Sequence, residues 1–107
     1  MEETKPTSKT VTLPRLNKLA PSLESTALKI MEESGELAQA IGKLRGLSGE
    51  ANHLDEQEAM GRVARELIDV AQTAVTMMFV LEEQYQIDIK DILAEHVEKL
   101  RRKGYCD

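Results

Sequence analysis

Between Ser22 and Gly46 apolar residues recur at Leu23, Ala27, Ile30, Leu37, Ile41 and Leu44, the threes, fours and sevens that keep one side of an α-helix against a core. Ser34 reads as the polar break in that row. Ser22 follows Pro21 and carries a hydroxyl suited to the free amides of a first turn, while Gly46 ends the pattern, so a helix is expected from Ser22 to about Gly46. The stretch LSGEANH is a loop by composition, and Asp55 followed by Glu58 reads as a capping box that opens a second helix. That helix is expected to run to about Gln86 on a seam of Met60, Ala64, Leu67, Ala71, Ala74, Met78, Leu81 and Tyr85. Ile68, Val70, Val75, Met77 and Phe79 widen the seam until the middle is apolar on most sides. Asp88 caps a third helix ending before Gly104, with Ile89, Ile92, Leu93, Val97 and Leu100 facing inward.

No segment carries a strand signal or a repeat. Residues 1–20, with Pro6, Pro14 and several Ser, Thr and Lys, read as a flexible N-terminal arm, and 21–107 as a single all-α domain. Three helices, one apolar almost all round, leave stripes that the chain does not cover by itself. The expected fold is an all-α antiparallel helical bundle completed by homo-oligomerisation, as a homodimer or homotetramer.

Composition narrows the partners. At 107 residues there is room for one modest core, and with aromatic residues at 3% it must rest on Leu, Ile, Val, Met and Ala. The lone cysteine, Cys106, excludes an internal disulfide and fits a reducing, cytoplasmic setting. The opening MEETKPTSKT has no apolar segment of the kind a secretory signal needs. Leu67 to Leu81 is shorter than the roughly 20 residues of a membrane span and contains Asp69, Gln72, Thr73 and Thr76, so no membrane partner is expected. With a net charge of −5 and basic residues concentrated only at Lys99, Arg101, Arg102 and Lys103, no nucleic-acid partner is expected either.

The candidate chemistry lies in the acids. Glu33 and Glu36, three residues apart, share one side of the first helix, and Glu66 and Asp69 share one side of the second. Asp69 is the only charged residue between Leu67 and Leu81, where an uncompensated charge bordering a core costs several kcal/mol. Taken singly, each acid has a plainer account. Arg62 stands four residues before Glu66 and Arg65 four before Asp69, while Lys29 can pair with Glu32 or Glu33. Taken together, two pairs facing one another across antiparallel helices would converge four oxygen ligands, which calls for a hard divalent cation. Mg²⁺ is the natural candidate, with Mn²⁺ a possible substitute, and the lack of His or Cys beside the acids argues against zinc. His53 and His96 read as loop or surface residues.

The arrangement Glu32-Glu33-x-x-Glu36, followed on the next helix by Glu66-x-x-Asp69, resembles the EExxE…ExxD signature of the all-α nucleoside triphosphate pyrophosphohydrolases, the MazG-like family. The surrounding LKIMEESGELAQAIGKLRG and RELIDVAQTAVTMM look like that family's two metal-binding helices, and the resemblance covers about residues 22–103. It implies hydrolysis of a nucleoside triphosphate between the α and β phosphates, with Mg²⁺ on Glu33, Glu36, Glu66 and Asp69 and with Glu32 or Glu36 helping to orient or deprotonate water. Lys43, Lys99 and Arg102 become the candidate phosphate contacts. The stretch from Leu37 to Arg65 is long for the family, and EKLRRKGYCD lacks the Asn and Arg pattern of many relatives. Two alternatives stay open: a phosphoribosyl-ATP pyrophosphatase-like enzyme, and a non-enzymatic helical dimerisation or adaptor module in which the acids are a charged face.

Overall fold

The computed structural model describes residues 4–46 and 55–107, so the expected loop at 47–53, with His53, lies outside the described residues. All regular structure among them is helical: α1 at Leu23–Leu44, α2 at Glu56–Tyr85 and α3 at Ile89–Arg102. Each helix starts at the predicted cap. The Ser22 hydroxyl accepts from the Ser25 amide at 3.0 Å, the Asp55 carboxylate from the Glu58 amide at 2.8 Å, and the Asp88 carboxylate from the Asp91 amide at 3.1 Å. The reciprocal half of a capping box forms at α1, where the Ser22 amide donates to the Ser25 hydroxyl, and only the Asp55 half forms at α2. Past the ends of α1 and α3, Gly46 and Gly104 take φ of 69° and 75°, a left-handed turn that a side chain would strain.

Helices α1 and α2 pack along their length, whereas α3 touches α2 alone. Their sense is antiparallel. Gln84 near the end of α2 reaches Pro21 before α1, while Glu33 in the middle of α1 meets Glu66 and Asp69 nearer the start of α2. No helix among the described residues is long and apolar enough to cross a membrane.

The faces turned inward differ from the predicted rows. On α1 the buried residues are Thr26, Glu33 and Ala40, alternating with the half-buried Leu23, Ile30, Leu37 and Leu44, while Ala27 and Ile41 are exposed. This is an unbroken three-four repeat, and its polar interruption is Glu33, since Ser34 faces solvent. On α2 the buried positions are Ala59, Thr73, Thr76 and Val80, whereas Met60, Leu67, Met78 and Tyr85 from the predicted seam are 40–52% exposed. Periodicity marked the larger apolar stripe of α2, but α1 packs on the smaller one, where Ala59, Thr73, Thr76 and Val80 are buried. On α3 no residue is buried, and Ile92 and Leu93 of its expected inner face are exposed.

Residues 14–21 run along α2 without regular structure. The Gln72 side-chain amide donates to the Pro14 carbonyl at 3.0 Å and the Gln84 amide to the Pro21 carbonyl at 3.2 Å. Between them the Arg15 guanidinium pairs with the Glu83 carboxylate and lies over the Phe79 ring, 4.3 Å from its centre.

Candidate metal centre and nucleotide pocket

Helical spacing places Glu33 on the inner row of α1 and brings Glu66 and Asp69 to the facing side of α2. One carboxylate oxygen from each of the three falls within 4.8 Å of the others. Their burial is graded: Glu33 is 7% exposed, Glu66 is half-buried, and Asp69 opens to solvent. The expectation that Asp69 borders the core is thus corrected, since Glu33 occupies the dry position and Asp69 the mouth.

Glu33 is partly compensated. Lys29 sits one turn earlier with Nζ at 3.1 Å from Glu33 Oε1 and 3.6 Å from Glu32 Oε1, the pairing foreseen from spacing. Both carboxylates, Glu33 foremost, hold the ammonium above its ordinary value. The other side of the cluster has no such counter-charge. Arg62 and Arg65 form no ion pair with Glu66 or Asp69 among the described residues. Arg65 folds back over Gly61 instead, where a Cβ would lie 3.4 Å from its Nη1. Oε2 of Glu33 and Oε2 of Glu66 are both buried with no hydrogen-bond partner. A buried charged oxygen without a donor costs on the order of 1–3 kcal/mol or more, a cost that a cation held between the two glutamates would offset. An all-carboxylate donor set fits a hard divalent ion.

Glu36, the fourth expected ligand, stands exposed beside this trio and outside the converged set. It senses the trio electrically. The charge of Glu33 first, then partial desolvation, Glu66 and Glu32, push the Glu36 carboxyl above its ordinary range. Glu32 is exposed and held by Lys29.

A cavity of about 460 Å³ adjoins the cluster, lined by Glu33 and Asp69 from the helices and by Leu16, Leu19, Ala20 and Pro21 from the segment before α1, which form one wall. Lys29, Gln72 and Thr76 also line it. Sequence reasoning missed this wall because a segment with a single turn, the Leu19 amide donating to the Leu16 carbonyl at 3.2 Å, has no periodic signal. Of the predicted phosphate contacts, Lys43 lies in the last turn of α1, and Lys99 and Arg102 line a shallow depression on α3 with Ile92, Glu95 and His96 that shares no residue with this cavity.

The fold is that of an all-α protein whose helical hairpin gathers three carboxylates that could hold a metal ion beside a ligand-sized cavity. The family model for the MazG nucleotide pyrophosphohydrolase domain matches residues 21–104, most of the chain, and the chain belongs to that family. Membership identifies it as a hydrolase of nucleotide phosphoanhydride bonds. Comparison with curated proteins and with solved structures finds no match.

Proposed function

We propose that the protein hydrolyses nucleoside triphosphates between the α and β phosphates, releasing the monophosphate and pyrophosphate, with Mg²⁺ or Mn²⁺ held by Glu33, Glu66 and Asp69. The observation that carries this reading is the pair of buried, unpartnered oxygens on Glu33 and Glu66 beside Asp69, in a chain of this family. A bound divalent ion would supply charge neutralisation at the polyphosphate and acidify a coordinated water. The remaining roles fall to the chain's own groups. Glu36 lies next to the cluster with its carboxylate outside the converged set, placed to take the proton of the attacking water. Glu32 orients Lys29, whose ammonium lines the cavity within reach of a phosphate. The triphosphate would lie over the acids and the nucleoside against the apolar wall of Leu16, Leu19 and Pro21.

The same reading includes self-association. A 12.0 kDa monomer is expected to expose about 6,000 Å², and a domain of this length to have a radius of gyration near 13 Å. This chain exposes 8,924 Å² with a radius of 17.4 Å, and Leu28, Met31, Leu67 and Ile68 stand on its surface. These exposed apolar side chains support a homodimer or homotetramer in which a second copy covers them and Lys43, Lys99 and Arg102 reach a neighbouring site. The exposed Cys106 is in keeping with a cytoplasmic setting.

The test is a panel of nucleoside triphosphates assayed for pyrophosphate and for orthophosphate, with wild type and Asp69→Asn side by side. Pyrophosphate release that falls by about a hundredfold or more in the variant is expected from the loss of a ligand charge. Orthophosphate alone, or undiminished hydrolysis by Asp69→Asn, contradicts the proposal.

A further inference from the structure

The segment that walls the cavity is held by polar ties and by the half-buried Leu16 and Pro21. Leu19 is 67% exposed, and the segment has space on both sides: the 460 Å³ cavity on one, and on the other a second of about 360 Å³ lined by Phe79, Glu83 and Gln84. Leu16, Leu19, Ala20, Pro21 and Thr76 line both, so these residues act as a partition. A partition with only part of its side chains buried depends on its attachments to stay in place. Its polar attachments to α2 among the described residues are the Gln72 bond to Pro14, the Gln84 bond to Pro21, and between them Arg15, which engages Glu83 and Phe79 at once.

We infer that Arg15 is a positioning residue for the nucleotide pocket: its clamp on Phe79 and Glu83 holds residues 16–21 as a preformed wall and thereby sets the KM for the nucleotide. The inference rests on the proposed pyrophosphohydrolase reading, because it takes the cavity beside Glu33 and Asp69 as the nucleoside subsite. Arg15 does not line that cavity and lies on the far side of the partition, so it acts through the wall. Glu83 and Arg15 are each about half exposed, where an ion pair alone is weak, but stacking on Phe79 adds a second, less screened attraction. Without the clamp the wall must be ordered by the nucleotide itself, and that ordering weakens binding without touching the acids.

The experiment compares wild type, Arg15→Ala, Glu83→Ala and the charge-exchanged pair Arg15→Glu with Glu83→Arg. The steady-state readout is joined by trypsin cleavage after Lys18 and Mn²⁺ affinity by calorimetry. Either single alanine variant is expected to raise KM by about fivefold, with kcat within about twofold and Mn²⁺ affinity unchanged. Cleavage after Lys18 should quicken, and the exchanged pair should recover part of the lost KM. A wild type that hydrolyses nucleotides while both alanine variants keep its KM overturns the role of Arg15 and leaves the pyrophosphohydrolase reading standing. A fall in kcat or in Mn²⁺ affinity equal to the change in KM overturns it as well, because the residue would then be supporting the whole fold. A wild type that hydrolyses no nucleotide removes both readings together.

Discussion

The two sides of α2 are built on opposite plans. Its inner side, against α1, carries Ala59, Thr73, Thr76 and Val80, small and partly polar yet buried, with Glu66 among them. Its outer side carries Met60, Leu67, Ile68 and Met78, large and apolar yet 40–52% exposed. The inner side resembles a site and the outer side resembles a core. Small residues inside, at the cost of apolar area, accompany carboxylates from both helices that lie within 4.8 Å of one another. The stabilisation missing inside is available on the outer face, provided something covers it.

The strongest way to break this contrast is the double substitution Leu67→Glu with Met78→Glu. If the outer face is covered by a second copy, two large apolar side chains lose burial worth about 1.5–3 kcal/mol each, and buried like charges add to that. Sedimentation or light scattering should then show the assembly falling apart, with a melting temperature many degrees lower. A wild type that is monomeric, or a variant that assembles and melts as wild type does, removes the role given to that face.

A smaller effect is expected at the edge of the inner side. The Glu36 carboxyl is raised in the folded chain, chiefly by Glu33, so the folded state retains this proton to higher pH than the unfolded state. Its contribution therefore runs against stability as pH rises from the ordinary carboxylate range through the raised value, and then levels off. With chelator present, Glu36→Gln should melt above wild type near neutral pH, and the gap should close below the carboxylate range. A gap that widens as the solution is acidified reverses the sign and contradicts the electrostatic account.

The smallest effect is expected within the inner row itself. Thr73 is 8% exposed and its Oγ1 donates to the Asp69 carbonyl at 3.0 Å, within the helix. Thr73→Val keeps the shape and removes one hydrogen bond whose acceptor stays in the helical ladder, so denaturant unfolding should shift by no more than about 1 kcal/mol. A loss of several kcal/mol would mean that the inner row, polar as it is, carries the core after all.

The helices and their starts were legible because capping is local chemistry: Ser22, Asp55 and Asp88 each need only an amide three residues ahead. The packing face was not, because apolar periodicity reports the largest stripe and cannot tell a partner helix of the same chain from a partner of another kind. The signal was nonetheless present on α1. Leu23, Thr26, Ile30, Glu33, Leu37, Ala40 and Leu44 keep a strict three-four spacing, and a glutamate on such a row is the residue to question. Of the four acids expected to converge, Glu33, Glu66 and Asp69 come within 4.8 Å of one another and Glu36 stands beside them. The wall of Leu16 to Pro21 was not legible, since it is placed by Arg15, Gln72 and Gln84 over separations of more than fifty residues.

The central claim is that Glu33, Glu66 and Asp69 hold a divalent ion between two closely packed helices. The direct measurement is calorimetric titration of the metal-free protein with Mn²⁺ and with Mg²⁺, repeated on Glu66→Gln and accompanied by melting curves. Saturable binding is predicted, with stability rising by about 2.7 kcal/mol at a hundredfold excess over Kd, and with both signals lost in the variant. Melting that responds to these ions only as it does to equal ionic strength of sodium chloride, in wild type and variant alike, would contradict it.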